Sequence, residues 1–160
     1  MSYGDTITIA ERIRDLFGDA PWRLQVAALP WRRTSDGVEV MLITSRDPGR
    51  WVLPKGWTEK GEAYRDAAAR EAHEEAGLRG EIAQDEAGRF IYGKIKPAGV
   101  IPCEVVVFPL RVEKICENWK EKGERRRAWF APCEASTLVR EPDLAEILSG
   151  FGRDFIRFAA

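Results

Sequence analysis

The chain of 160 residues lacks any apolar run long enough to cross a bilayer. Its first 17 residues, MSYGDTITIAERIRDLF, are broken by Asp5, Glu11, Arg12 and Arg14, so neither a membrane span nor a signal peptide is expected. It also lacks a charge excess. Lys and Arg number 25 against 26 Asp and Glu, a net charge of −1. That removes any global pull toward nucleic acid or an anionic membrane and leaves polyanion recognition to local clusters. A cysteine framework is missing too: Cys103, Cys116 and Cys133 are odd in number and have no C-x-x-C spacing. This argues against disulfides and a zinc site and makes a reducing cytoplasm the expected compartment. No repeat, low-complexity tract or linker interrupts the chain. What remains, 44 % hydrophobic and 32 % charged residues, describes a globular protein of one domain, residues 1–160, with its core at about 22–148.

Ile9, Ile13, Leu16 and Phe17 recur at helical spacing, so residues 7–17 read either as a short amphipathic helix ending at Gly18 or as an arm spanning 1–18. Strands are expected at Leu24–Trp31, Val38–Thr44 and Trp51–Leu53, separated by the turns Thr34-Ser35-Asp36-Gly37 and Asp47-Pro48-Gly49. Residues Glu62 to Ala76 are rich in Ala and Glu, hold no Gly or Pro, and close at Gly77, which predicts a helix with a left-handed cap. Strands follow at Glu81–Tyr92, at Glu104–Val112 with a run (Val105 to Phe108) suited to burial on both faces, and at Ala128–Phe130. Pro142 opens a last helix through Leu144, Ile147, Leu148 and Phe151, with Phe155 and Phe158 as an extension. This order supports a mixed sheet flanked by helices, an α/β (α+β) fold.

One stretch carries chemistry. Glu71, Glu74 and Glu75 stand at i, i+3 and i+4, so their carboxylates converge on one helical face. Such pairs repel by a few tenths of a kcal/mol in an isolated helix, and by more where water is partly excluded. A cation belongs there, and hard oxygen donors on a rigid helix suit Mg²⁺ or Mn²⁺, which keep waters and take further ligands from phosphates. Arg70, one turn before Glu74, neutralises part of the cluster. Gly56 and Gly61 allow the preceding loop to bend sharply.

Gly56, Glu62, Arg70, Glu71, Ala72, Glu74, Glu75, Gly77 and Leu78 fill, without a gap, the pattern G-x5-E-x7-R-E-U-x-E-E-x-G-U, and on this the chain resembles the Nudix hydrolase family. The resemblance implies an α/β/α sandwich. It implies metal ligation by Glu71, Glu75 and the Lys55 backbone carbonyl, with Glu74 as general base or further ligand. Glu62, Arg70 and Gly77 become structural members of the motif. The implied chemistry is Mg²⁺-dependent attack of water on a phosphoanhydride, with Mn²⁺ as a substitute ion.

Outside the motif, residues Thr44 to Pro54, Val112 to Ile115, Trp119 and Arg125-Arg126-Arg127 before Trp129-Phe130 resemble diphosphoinositol polyphosphate phosphohydrolases and their relatives that cleave diadenosine polyphosphates. That implies a small polyphosphate substrate bound by Arg23, Ser45, Arg46, Lys55, Gly56, Arg125 and Arg127, since Arg forks take phosphate oxygens in pairs. The inositol enzymes carry a run of glycines where this chain has Lys55-Gly56-Trp57. Trp57 either stacks on a nucleobase or packs within its loop. Lys94 and Lys96 read as surface residues, and His73, the single histidine, as a solvated helix position. A nucleotide-sugar hydrolase, an RNA 5′-end pyrophosphohydrolase and a ligand-sensing domain without catalysis remain alternatives. Nucleic acid is the less expected partner, and the chain is expected to be a monomer or homodimer.

Overall fold

A computed structural model describes residues 22–47 and 49–154; the helix or arm expected before residue 22, and the extension past residue 154, lie outside them. Eight strands form one sheet: β1 (Arg23–Thr34), β2 (Gly37–Thr44), β3 (Trp51–Val52), β4 (Lys55–Gly56), β5 (Leu78–Ile82), β6 (Gly88–Lys96), β7 (Gly99–Ile115) and β8 (Arg127–Phe130). The helices are α1 (Tyr64–Ala76), α2 (Pro132–Leu138) and α3 (Pro142–Asp154). The central path runs β3-β2-β1-β7-β5, with β4 beside β1, β6 beside β7 and β8 beside β2. Only β1 and β7 pair in parallel, Val26 opposite Val106; the remaining ladders are antiparallel.

Alternation along the central strands divides the core in two. Val26 and Ala28 of β1, Met41 and Ile43 of β2, and Val106, Phe108 and Leu110 of β7 face α1. Ala27, Leu29, Trp31, Val40, Leu42, Val105 and Val107 face Leu144, Leu148 and Phe151 of α3 and Ala135 of α2. The result is the expected α/β/α sandwich, and the Val105–Phe108 run is buried on both faces. Helix α1 meets the sheet through Ala67, Ala68, Ala72 and Ala76, all fully buried. Four methyl groups in place of longer side chains let its backbone lie close to the strands, which brings the polar residues between them down to the sheet edge.

Strand β1 runs on to Thr34, past the expected end at Trp31, and three further elements differ from the sequence reading. Helix α1 starts at Tyr64, after an extended Ala63, because Glu62 belongs to a turn. The single strand expected over 81–92 is two strands, β5 and β6, that follow one another along the same edge of β7; the chain bends at Gln84 and Asp85 between them. Strand β7 starts five residues earlier than expected and continues to Ile115, so Pro102 and Pro109 both sit inside it. Two short elements are additional, strand β4 and helix α2, the latter opened by Pro132 in its first turn.

Candidate active site

Strand β4 and the loop after it lie across one end of α1. Residues 59–62 form a tight turn closed by the Glu62 N–H to the Glu59 carbonyl at 3.0 Å. Gly61 sits at φ 77°, the left-handed position such a turn requires at its third residue. Gly56 serves differently. Its φ is not positive, and a Cβ placed on it would collide with the Glu71 carboxylate. The glycine is needed for close approach of loop and helix, not for the bend assigned to it from sequence.

Arg70 ties this end together. Its Nε and Nη2 each donate to Glu62 at 2.9 Å, Nη1 donates to Glu71 Oε1 at 2.9 Å, and Nη2 also reaches the Trp57 carbonyl at 3.0 Å. Glu74 Oε2 lies 3.5 Å from the same guanidinium. The Arg70 fork holds the Glu62 carboxyl below its usual range.

Glu71 and Glu75 are buried, both at 8 % exposure. Glu75 Oε2 accepts the Lys55 N–H at 3.1 Å and Oε1 accepts Arg125 Nη2 at 3.2 Å. The Pro54 carbonyl accepts from Ala28 on β1, so by strand alternation the N–H and C=O of the next residue, Lys55, both face away from β1 and toward α1. Burial outweighs these partners: it pushes Glu71 above the usual carboxylate range and Glu75 up to about 7, against the opposing pull of Arg70 and Arg125 respectively. Burial also lowers the Lys55 amine, against the attraction of Glu75. Among the described residues no three His, Cys, Asp or Glu side chains form a ready cage for a metal. The donor set is two buried carboxylates, one backbone carbonyl direction and the half-buried Glu74.

The other end of α1 is held by the connection from β7 to β8. The Glu121 N–H caps the Glu74 carbonyl at 3.2 Å, Trp119 Nε1 caps that of Glu75 at 3.1 Å, Arg127 Nη1 that of Ala76 at 2.7 Å, and the Cys116 N–H that of Gly77 at 2.8 Å. Carbonyls that a helix end leaves unpaired are thus filled by one segment. Gly77 is the left-handed cap, at φ 66°, and a Cβ on it would also meet Trp119 and Arg127 at 2.9 Å. Arg127 stacks on Trp119 at 3.9 Å and donates Nη2 to the Cys116 carbonyl. Both of its terminal nitrogens are therefore engaged with backbone behind the helix end, in place of the phosphate contact expected of it.

The same segment reaches the carboxylates from the side. Glu121, buried at 7 %, accepts from Arg125 Nη2 at 3.2 Å and from Arg46. Arg125 bridges Glu121, Glu75 and the Thr44 carbonyl, while Arg46 also pairs with Glu124 at 3.3 Å. Arg46, Arg125, Lys55 and Gly56 thus gather around Glu75. Ser45 accepts the Arg50 N–H and shapes the 45–50 turn. Arg23 starts β1, exposed, opposite Cys103 of β7. His73 is half-buried rather than solvated: Nε2 faces Arg79 at 3.1 Å, and Nδ1 is buried without a partner among the described residues. Sequence reasoning missed Glu121 and Trp119, since a turn has no periodicity to mark its inward residues. Lys94, weighed from sequence beside the site but read as a surface residue, has its ammonium 5.0 Å from the Trp57 ring centroid.

The NUDIX domain family matches residues 21–151. The chain belongs to the Nudix family. Nudix hydrolase 21, chloroplastic, of Arabidopsis thaliana is 35 % identical over 144 residues, covering 86 % of this chain and 71 % of the relative. Diphosphoinositol polyphosphate phosphohydrolase 3-alpha of Mus musculus is 31 % identical over 131 residues, covering 79 % and 76 %. A crystal structure of a C. elegans Ap4A hydrolase binary complex superposes with a TM-score of 0.64 at 19 % identity, over 85 % of this chain and 99 % of that one; at that identity it speaks for the fold. The Nudix chain is a hydrolase of pyrophosphatase type, and enzymes of this family generally use divalent metal ions. No helix among the described residues is long and apolar enough to cross a membrane.

Proposed function

We propose that this Nudix hydrolase splits a phosphoanhydride bond in a nucleoside- or inositol-linked polyphosphate, with Mg²⁺ as its ion and Mn²⁺ as a substitute. The observation that supports this best is the pair Glu71 and Glu75: two buried carboxylates one helical turn apart, against Lys55 and Gly56, held above their usual range by burial. A divalent ion relieves that penalty, and this donor set leaves room for the waters and phosphate oxygens that Mg²⁺ prefers. We assign Glu71, Glu75 and the Lys55 carbonyl as ligands. When bound, the ion neutralises charge on the phosphates and on the leaving oxygen.

The chain's own residues supply the rest. Glu74, half-buried and 3.5 Å from Arg70 and 4.0 Å from Lys120, accepts the proton of the attacking water or holds that water in place. Arg46 and Arg125 present guanidinium groups beside Glu75, where phosphate oxygens compete with Glu121 for them. Lys55, Ser45, Gly56 and Arg23 border the same path. Arg127 is left out of this set. We read residues 1–160 as one Nudix domain, active as a monomer or homodimer. The few cysteines still favour a cytoplasmic protein, although several relatives carry chloroplastic or mitochondrial in their names.

Phosphate release from diadenosine pentaphosphate, a diphosphoinositol polyphosphate, a nucleotide sugar and 5′-triphosphorylated RNA, each with Mg²⁺ and with Mn²⁺, tests the reading. Turnover of either of the first two, abolished in Glu74→Gln and Glu75→Gln variants that keep the wild-type circular dichroism, is the expected result. Undiminished turnover in both variants, or hydrolysis confined to the last two substrates, overturns it.

A further inference from the structure

Strands β4 and β6 lie on opposite sides of the central β1–β7 pair. Tyr92 and Lys94 are two residues apart on β6, a spacing that places both on one face, and Lys55 of β4 and Trp57 just after it come from across the pair. The two pairs meet crosswise. Lys55 Nζ lies 4.9 Å from the Tyr92 ring centroid and Lys94 Nζ lies 5.0 Å from that of Trp57. Beneath Tyr92, Gln25 of β1 accepts its hydroxyl and Cys103 of β7 stands opposite it in register; both are almost wholly buried. The sheet thus floors a patch in which cations and aromatic rings alternate, bordered by Arg23 at the start of β1.

Trp57 is unlike the other tryptophans around the site. Trp31 is buried in the core, Trp51 packs edge-on against Phe130 at 5.0 Å, and Trp119 caps α1. Trp57 remains 36 % exposed, yet its backbone is fixed by the Arg70 donor at 3.0 Å. A flat ring held in place, open to solvent and one residue from the glycine under Glu71, has no core function to account for it. The Lys94 ammonium stands over this ring, 5.0 Å from its centroid.

We propose that Trp57 and Lys94 form the base end of the substrate site: a purine stacks on the exposed Trp57 face while the Lys94 ammonium passes from the ring to the adjoining phosphate. This rests on the hydrolase reading above and narrows it to a nucleoside polyphosphate. An inositol polyphosphate has no flat aromatic surface to stack, whereas Trp57 offers a solvent-open ring with a cation beside it. Stacking on a tryptophan tolerates any base and gains on the order of tenfold in affinity.

Adenosine 5′-phosphate has no phosphoanhydride and stays intact, so its binding to the full chain with Mg²⁺ is measurable by calorimetry beside ribose 5-phosphate, which lacks the base. Adenosine 5′-phosphate should bind about tenfold tighter than ribose 5-phosphate. Trp57→Ala should erase that difference, Trp57→Phe should keep most of it, and Lys94→Ala should weaken both ligands alike. Equal binding of the two ligands by the wild-type chain, absence of binding by both included, overturns the proposal, as does a Trp57→Ala chain that keeps the difference. If the base preference holds while no polyphosphate is hydrolysed, the hydrolase reading falls and the base site stands.

Discussion

The two ends of helix α1 are secured by different chemistry. At the start, Arg70 binds the Glu62 and Glu71 carboxylates and the Trp57 carbonyl, all within 15 residues of chain. At the finish, Trp119, Glu121, Arg127 and Cys116 cap four backbone carbonyls from residues around 40 to 50 positions away. The first set aligns charges; the second fixes the helix backbone, and its segment reaches the reactive surface only through Glu121 and Arg125. Glu75 sits where the two meet, with its side chain toward Lys55 and Arg125 and its carbonyl under Trp119. Its backbone is positioned from behind by a neutral cap, while burial at its front outweighs the pull of Arg125.

Substitution at Glu75 separates the two ends most sharply. Glu75→Gln should lower kcat with Mg²⁺ roughly a thousandfold, measured by phosphate release, while the metal-free chain becomes more stable. The pH dependence follows the same logic. In the folded metal-free chain Glu75 keeps its proton up to about 7, against an ordinary value of 4.5. Folding therefore binds a proton between those values, and this group's contribution to stability falls as pH rises through them, the reverse of an ion-paired carboxylate. Thermal melts in chelator should show a loss on the order of 2 kcal/mol from pH 4.5 to pH 8, much reduced in Glu75→Gln, where Glu71 alone remains raised, and reversed by Mn²⁺. A metal-free melt that rises over that range would contradict the burial assigned to Glu75.

Next in size, Arg70→Ala leaves Glu62 and Glu71 without their shared fork and should destabilise by about 2 kcal/mol in chemical denaturation. Arg70→Lys should recover little of this, because a point charge cannot span two carboxylates. At the far end, Gly77→Ala forces a left-handed alanine into Trp119 and Arg127, and a loss of at least about 2 kcal/mol is expected. Activity at saturating Mg²⁺ should remain within a few-fold for the folded fraction, since no charged group has been removed. The smallest effect belongs to Trp119→Phe, which deletes one donor to the Glu75 carbonyl and should cost about 1 kcal/mol. Hydrogen exchange should then quicken at amides near the end of α1 and leave those near its start unchanged.

The acidic face of α1 was legible in sequence because its parts lie close together and follow the helical repeat: glutamates at i, i+3 and i+4 announce a common face without any knowledge of the sheet. The end was not. Glu121 and Trp119 lie in a turn where no period tells inward from outward, and their partners are carbonyls, which every residue has. Arg127 illustrates the difficulty, since a guanidinium that caps a helix and one that binds phosphate look alike in a string of letters. The sandwich itself could be read from the alternating strands and the alanine-rich helix. The division into β5 and β6 was hidden because the bend at Gln84 and Asp85 contains neither Gly nor Pro, and the early residues of β7 were hidden by Pro102, a residue that ordinarily argues against a strand interior.

The parallel pairing of β1 with β7 joins Val26 to Val106, and the caps on α1 arrive later still, at residues 116 to 127. A ribosome that has released every residue of the glutamate motif has therefore made neither the sheet neighbour nor the helix end that set it in place. A nascent chain stopped before residue 116 holds the complete signature but none of the groups that cap the Glu74 to Gly77 carbonyls, and it lacks the Arg125 that meets the Glu75 carboxylate. Premature termination there yields a polypeptide that any motif search would accept as intact and that has no formed site to close on a phosphate.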